Sequence, residues 1–233
     1  MSSEPSPTWG AWRPAIAVMA VGVAGYLLVY FAVTHEVRLW ALDDPVLEYF
    51  AAHRTETLDA LARAVSTLFG AIVLPVLVAV GAAIWGWRTG QWFNAAVVTG
   101  SMIVAGVLSL VLKELADRPR PPETYWQEPD AVQTSSFPSG HTLCAATLVL
   151  VTGYLAWRTE RSTKVLIGWS AMAVVVIGLV AWARLYAGYH FVTDVVAGFF
   201  AALVVLGLAM GIVRTRDLRL DSELVTSESA RAN

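Results

Sequence analysis

The sequence predicts an all-α membrane protein, with six transmembrane helices in one bundle and short interfacial helices between the first two spans. Two observations carry this. Hydrophobic residues make up 57% of the 233 residues and charged residues only 15%, the balance of a chain whose outer surface meets hydrocarbon. Six long uncharged runs also divide the chain, at residues 14–34, 64–87, 92–112, 142–157, 165–182 and 195–213. A bilayer core of roughly 30 Å takes about 20 apolar residues of helix. Runs of this kind, without the two-residue alternation of barrel strands, satisfy their backbone groups internally as helices.

Taken in order, the first run is too long for the apolar stretch of a signal peptide. It also lacks a small-residue cleavage site before His35, so it reads as a retained anchor. Residues 43–63 mix Val46, Leu47, Phe50, Leu58 and Leu61 with Glu48, Arg54, Glu56 and Asp59. That pattern suits one or two short helices lying on the membrane surface, a solvated connector being the alternative. Trp12, Trp85, Trp87, Trp92, Trp157 and Trp182 stand at run ends, where an amphipathic ring prefers the headgroup level. Beyond Val213 the chain is first basic (Arg214, Arg216, Arg219) and then rich in Ser and Glu. This predicts a disordered cytoplasmic tail over 214–233 behind a single domain of residues 1–213. No repeat of fixed period points to an inverted-repeat transporter.

Lys and Arg near span ends set orientation. A cytoplasmic N-terminus puts Arg13, Arg88, Arg158, Arg161, Lys164 and the basic start of the tail inside, so both termini are expected on the cytoplasmic side of the cytoplasmic membrane. Lys113, Arg118, Arg120 and Arg184 are then left on the outer face, where the charge rule gives them no reason to be. A net charge of −2 offers no basic face for a nucleic-acid backbone, which excludes that partner. The single cysteine, Cys144, forms no internal disulfide and reads as a buried, inert thiol.

Three charged clusters interrupt the apolar second half: 113–122 (KELADRPRPP), 138–141 (PSGH) and 184–194 (RLYAGYHFVTD). The first two lie in the loop between spans three and four, the third in the loop between spans five and six. Two spans separate the loops, so parity puts them on one face whichever way the protein inserts. Lys113 ends a helix, and Arg120 follows in a proline-bracketed, extended stretch, so two cations can approach one point. Ser139 is a natural N-cap, and Gly140 lets an anion come close to the free N–H groups behind it. Arg184 adds a fork of donors suited to phosphate oxygens. The sum is a cradle for a tetrahedral oxyanion.

The reactive groups would be His190 and His141, with Asp194 four residues after His190 and on the same face of a helical segment. A carboxylate on one ring nitrogen fixes the tautomer and leaves the other nitrogen to attack phosphorus. The second histidine can protonate the leaving oxygen. Phosphate ester hydrolysis is among the slowest uncatalysed reactions and calls for such a density of cations.

Lys113 with six residues to Arg120-Pro121, then Pro138-Ser139-Gly140-His141, then Arg184 with five residues to His190 and three more to Asp194, resembles the three-part signature of the type 2 phosphatidic acid phosphatase superfamily. The resemblance covers spans three to six. It implies a six-helix membrane enzyme, independent of metals and other cofactors, with an outward-facing site. It also implies His190 as the nucleophile that forms a phosphohistidine, Asp194 as its orienting partner and His141 as the general acid. Lys113, Arg120, Ser139, Gly140 and Arg184 would hold the phosphate oxygens. Two features depart from the pattern. The third motif usually begins Ser-Arg, whereas Ala183 precedes Arg184 here, which removes one hydroxyl donor. Arg118-Pro119 also repeats Arg120-Pro121, so Arg118 can share the role that spacing gives to Arg120.

Other histidines and cations have plainer readings. His35 and His53 read as interfacial residues, and Arg38, Arg54 and Arg63 as partners of lipid headgroups. Gly188 and Gly198 read as close-packing positions. The function expected is hydrolysis of a lipid phosphate or diphosphate reached from the bilayer, with no obligatory protein partner. Polyprenyl diphosphate is slightly preferred because a small, Arg-rich, Lys-poor chain resembles bacterial envelope members of the family; phosphatidic acid and phosphatidylglycerol phosphate are the other candidates. The alternatives are phosphotransfer to an alcohol, and a transport or binding protein that holds a lipid phosphate without cleaving it.

Overall fold

The computed structural model describes residues 9–37, 40–128 and 134–232; Arg38 lies outside them. Eight α-helices carry the described chain: α1 (Arg13–Thr34), α2 (Asp43–Ala52), α3 (Glu56–Leu68), α4 (Val73–Thr89), α5 (Trp92–Ala116), α6 (Gly140–Glu160), α7 (Thr163–Tyr186) and α8 (Val192–Ala232). Of these, α1, α5, α6, α7 and α8 are each long and apolar enough to cross a membrane, and α3 with α4 forms a sixth candidate crossing bent by 55°. The all-α membrane architecture is therefore the one the apolar runs predict.

The second run differs from expectation, because residues 64–87 are not one helix. α3 ends at Leu68 and α4 begins at Val73. Pro75, in the first turn of α4, has no N–H to donate back to Ala71, so the helix restarts there instead of continuing. Residues 43–63 are helical, as α2 and the start of α3. Thr55 caps α3 by accepting a hydrogen bond from the Leu58 N–H at 3.3 Å, which satisfies one of the orphan donors of its first turn. The tail also departs from expectation. Instead of disorder beyond Val213, α8 continues to Ala232. No glycine or proline follows Gly211, and a helix already nucleated by a packed span extends at little cost. Asp217 pairs with Arg158 of α6, and the Arg216 guanidinium lies 4.0 Å from the Phe93 ring.

α8 is the axis of the bundle. It packs along α1 on one side and against α6 and α5 on another, while α6 also contacts α7. The contact layer is built from small residues, with Ala105, Ala145, Ala146, Ala183, Ala197, Ala201 and Ala202 all buried, as expected where helices associate by close approach. Large apolar side chains point outward instead, among them Leu28, Ile72, Ile103, Leu110, Ile167 and Val174. Such a perimeter suits lipid. α2 and α3 lie across α7 at the end of the bundle where the α5–α6 and α7–α8 loops emerge.

Candidate active site

The two loops meet. α5 closes at Asp117, whose φ of 41° is left-handed, and the chain then runs through Arg118-Pro119-Arg120-Pro121-Pro122. Two bonds pin the returning chain to this stretch: Ser136 N–H donates to the Arg118 carbonyl at 2.9 Å, and Ser136 Oγ donates to the Pro119 carbonyl at 3.0 Å. The α7–α8 loop is tied in as well. Gln127 N–H donates to the Ala187 carbonyl at 2.9 Å, and Ser139 N–H donates to the Asp194 carbonyl at 2.9 Å. Gly188 has a φ of 76°, and a Cβ there would stand 1.8 Å from the Tyr125 carbonyl oxygen, so only glycine fits. A Cβ on Gly198 would stand 2.7 Å from the Ser139 carbonyl oxygen. Both glycines are thus close-packing positions, and what they pack is the frame of the site.

His190 stands at the centre, 2% exposed. Its Nδ1 faces Asp194 Oδ2 at 3.2 Å, the pairing expected from the four-residue spacing. The same oxygen accepts the Phe191 N–H at 2.9 Å. With Nδ1–H given to the carboxylate, Nε2 keeps its lone pair. Arg120 Nη1 lies 3.5 Å from that nitrogen and 2.7 Å from the Tyr189 carbonyl, to which it donates. Burial, and then the positive charges of Arg120, Arg184 and Lys113 and the presence of His141, hold His190 well below the usual imidazole range. The ring is accordingly neutral at neutral pH.

The cations around Nε2 form no ion pair with a carboxylate among the described residues. Lys113 donates to the Ser135 carbonyl, and Arg120 donates from Nε to the Thr134 carbonyl at 2.7 Å. Arg184 is 4% exposed. Its Nη1 donates to Ser66 Oγ at 3.0 Å, its guanidinium lies 4.8 Å from the Tyr189 ring, and its buried Nε has no partner among the described residues. Gly140 opens α6 beside them: a Cβ there would approach Ser109 Oγ at 2.7 Å and Lys113 Cε at 3.9 Å. Cations buried without counter-charge are costly. An anion with several oxygens is the group that would complete them.

Three expectations need correction. Arg118 does not share the role of Arg120. Its Nη1 donates to Asp194 Oδ1 at 2.5 Å and its Nη2 to Asp43 Oδ2 at 2.8 Å, on the Nδ1 side of His190. Both of its terminal nitrogens are thus committed to carboxylates, which holds this guanidinium in a structural pair behind the ring. Ser139 occupies the N-cap position of α6, but its hydroxyl makes no cap; it accepts from Thr142 Oγ1 at 3.1 Å and is wholly buried. Arg54, read as a headgroup partner, instead donates to the carbonyls of Tyr125, Trp126 and Tyr186, joining the α2–α3 corner to both loops. Ala183 is fully buried among Ala62, Val65, Ala145, Val180 and Tyr186, and the hydroxyl that reaches Arg184 comes from Ser66 on α3. Nothing local in the sequence marks Ser66, Asp43 or Thr193. Among the described residues, no three His, Cys, Asp or Glu side chains are grouped to hold a metal ion.

A bundle of apolar spans with a buried histidine beside three cations between its loops is the arrangement a membrane-embedded phosphatase needs. The PAP2 superfamily matches residues 94–218, more than half of the chain and the stretch holding all three motifs, and the chain belongs to that family. A curated relative, phosphatidylglycerophosphatase B of Bacillus subtilis (strain 168), is 29% identical over 196 residues, covering 80% of this chain and 90% of the relative. Two crystal structures share the fold. One, described as the first transmembrane PAP2 type phosphatidylglycerolphosphate phosphatase from Bacillus subtilis, superimposes with a TM-score of 0.72 at 24% identity, over 84% of this chain and 96% of that one. The other is LpxE of Aquifex aeolicus, with a TM-score of 0.53 at 22% identity, over 75% and 95%. The protein is a membrane lipid phosphatase of the PAP2 superfamily.

Proposed function

We propose that the chain hydrolyses a lipid phosphate through a phosphohistidine on His190. The observation that carries this is the contrast at the imidazole, with a carboxylate 3.2 Å from Nδ1 and a guanidinium 3.5 Å from Nε2. In the first step Nε2 attacks phosphorus, the P–N bond forms as the P–O bond to the lipid breaks, and His141 gives a proton to the departing oxygen. In the second, water attacks phosphorus, the P–N bond breaks, and His141 takes the proton from that water. Lys113, Arg120, Arg184 and the start of α6 at Gly140 bear the charge on the phosphoryl oxygens. Asp194 keeps the ring oriented throughout.

Phosphatidylglycerol phosphate is the first substrate to test, because it is the one named for the Bacillus subtilis relative. Polyprenyl diphosphate is the second reading, supported by a composition with two lysines against fourteen arginines among 233 residues. The site is proposed to face the extracytoplasmic side, with both termini in the cytoplasm. The test is phosphate release by purified protein, in chelator, across phosphatidylglycerol phosphate, polyprenyl diphosphate and phosphatidic acid. Turnover that vanishes in His190→Ala, with an acid-labile phosphoryl group trapped on the wild-type chain, supports the reading. An undiminished rate in His190→Ala overturns it.

A further inference from the structure

Behind the catalytic pair lies a buried assembly in which Asp43, outside all three motifs, joins residues of the first and the third. Asp43, the first residue of α2, is 1% exposed, and Asp194 is fully buried. Arg118 lies between them, donating from Nη1 to Asp194 Oδ1 at 2.5 Å and from Nη2 to Asp43 Oδ2 at 2.8 Å, with its guanidinium 4.3 Å from the Phe191 ring. Thr193 completes the loop. Its N–H donates to Asp43 Oδ1 at 3.0 Å, its hydroxyl donates to Asp43 Oδ2 at 2.6 Å, and the same hydroxyl accepts from Arg118 Nη1 at 2.7 Å. Asp43 therefore caps the N-terminus of α8 from another element and at the same time divides the Arg118 fork between two carboxylates.

This arrangement has a chemical use. One guanidinium between two carboxylates leaves the trio with a net charge of −1 by formal count. That charge lies behind Nδ1, where it complements the imidazole as the ring becomes positive on taking the phosphoryl group. If Asp43 were neutral, Arg118 would belong wholly to Asp194 and would cancel the carboxylate that supports the ring. Arg118 Nη1 holds the side chains of both Thr193 and Asp194, and Asp43 holds Arg118 and Thr193 in turn, so the direction of the Asp194 oxygens toward His190 depends on a residue far earlier in the chain. We propose that Asp43 is a positioning residue for phosphoryl transfer, acting through Arg118 and Thr193 on Asp194 and thereby on His190.

The proposal rests on His190 and Asp194 acting as described under the proposed function, and the test keeps the two apart. Wild-type turnover that His190→Ala abolishes is established first, since its absence bears on that reading alone. Steady-state kinetics are then measured on full-length Asp43→Asn, Arg118→Gln and the double variant, with inorganic phosphate binding as a second readout. The expected result is a fall in kcat of about 10- to 100-fold in each single variant, with KM and the Kd for inorganic phosphate within about 2-fold. The double variant should be no slower than the slower single one, because both substitutions cut the same link. Fold-losses that multiply in the double variant, a loss carried by KM, or an unchanged kcat in Asp43→Asn would each overturn it. Should Asp43→Asn fail to fold, Thr193→Val, which keeps the shape and removes the hydroxyl, replaces it. A fall in kcat of several-fold supports the proposal, and an unchanged kcat overturns it.

Discussion

The two edges of His190 are built from the same kinds of residue to opposite ends. On the Nε2 edge, Lys113, Arg120 and Arg184 direct their donors to backbone carbonyls and to the hydroxyls of Thr134 and Ser66. On the Nδ1 edge, Arg118 is closed between Asp194 and Asp43. Two arginines only two positions apart therefore do different work, and the difference lies in what each one faces. A cation locked to carboxylates holds structure, whereas a cation resting on neutral dipoles is available to an anion.

The sharpest way to break this contrast is to remove the residue on which both edges act. His190→Ala should lower phosphate release by at least about 10⁴-fold, read by single-turnover assay. On the Nε2 edge, Arg184→Gln should cost about 10²- to 10³-fold in kcat by removing charge stabilisation from the transition state. Its melting temperature should hold or rise, because a buried, like-charged group has been relieved. On the Nδ1 edge the pattern inverts in stability. Arg118→Met leaves two carboxylates buried together and should cost about 3–5 kcal/mol, seen as a lower melting temperature. If Arg184→Gln loses as much stability as Arg118→Met, the division between the edges is wrong.

The pH profile sharpens the comparison further. His190 is held below the usual imidazole range by burial and by Arg120, Arg184, Lys113 and His141, while Asp194 faces its other edge. If His190 is the nucleophile as proposed, protonation removes it, so the acid limb of kcat/KM for wild type should fall below about pH 6.5. Arg184→Gln removes one positive neighbour, raises the His190 pKa, and should move that limb to higher pH on the same substrate. A limb that stays in place would count against the field of Arg184 reaching the ring. The smallest effect belongs to Ser66→Ala, which takes one partner from Arg184. About 0.5–1.5 kcal/mol, or roughly 2- to 10-fold in kcat/KM, is expected.

Spans and motifs were legible in the sequence for a physical reason. An apolar run of about 20 residues has one stable form in lipid, and parity then brings the loops of Arg120 and His190 to one end without any knowledge of packing. Asp43 was not legible because its partners, Arg118 and Thr193, are distant in sequence and nothing in the Asp43-Asp44-Pro45 stretch distinguishes a buried carboxylate from a solvated helix start. Arg118 was misplaced for a related reason, since spacing gives the reach of a side chain and not its partner. The break between α3 and α4 was missed because hydropathy does not register Pro75, although the missing donor of proline was there to be weighed. The tail was read from composition alone, which takes no account of a helix continuing out of a packed span.

One feature of the Nε2 edge bears on how the enzyme is freed after each cycle. The carbonyls of Thr134 and Ser135 that receive Arg120 and Lys113 are neutral. On the proposed mechanism an incoming phosphate displaces weak dipoles and leaves no stranded counter-ion, and when inorganic phosphate departs the cations have somewhere to return. Such a resting perch keeps the grip on product from becoming a trap.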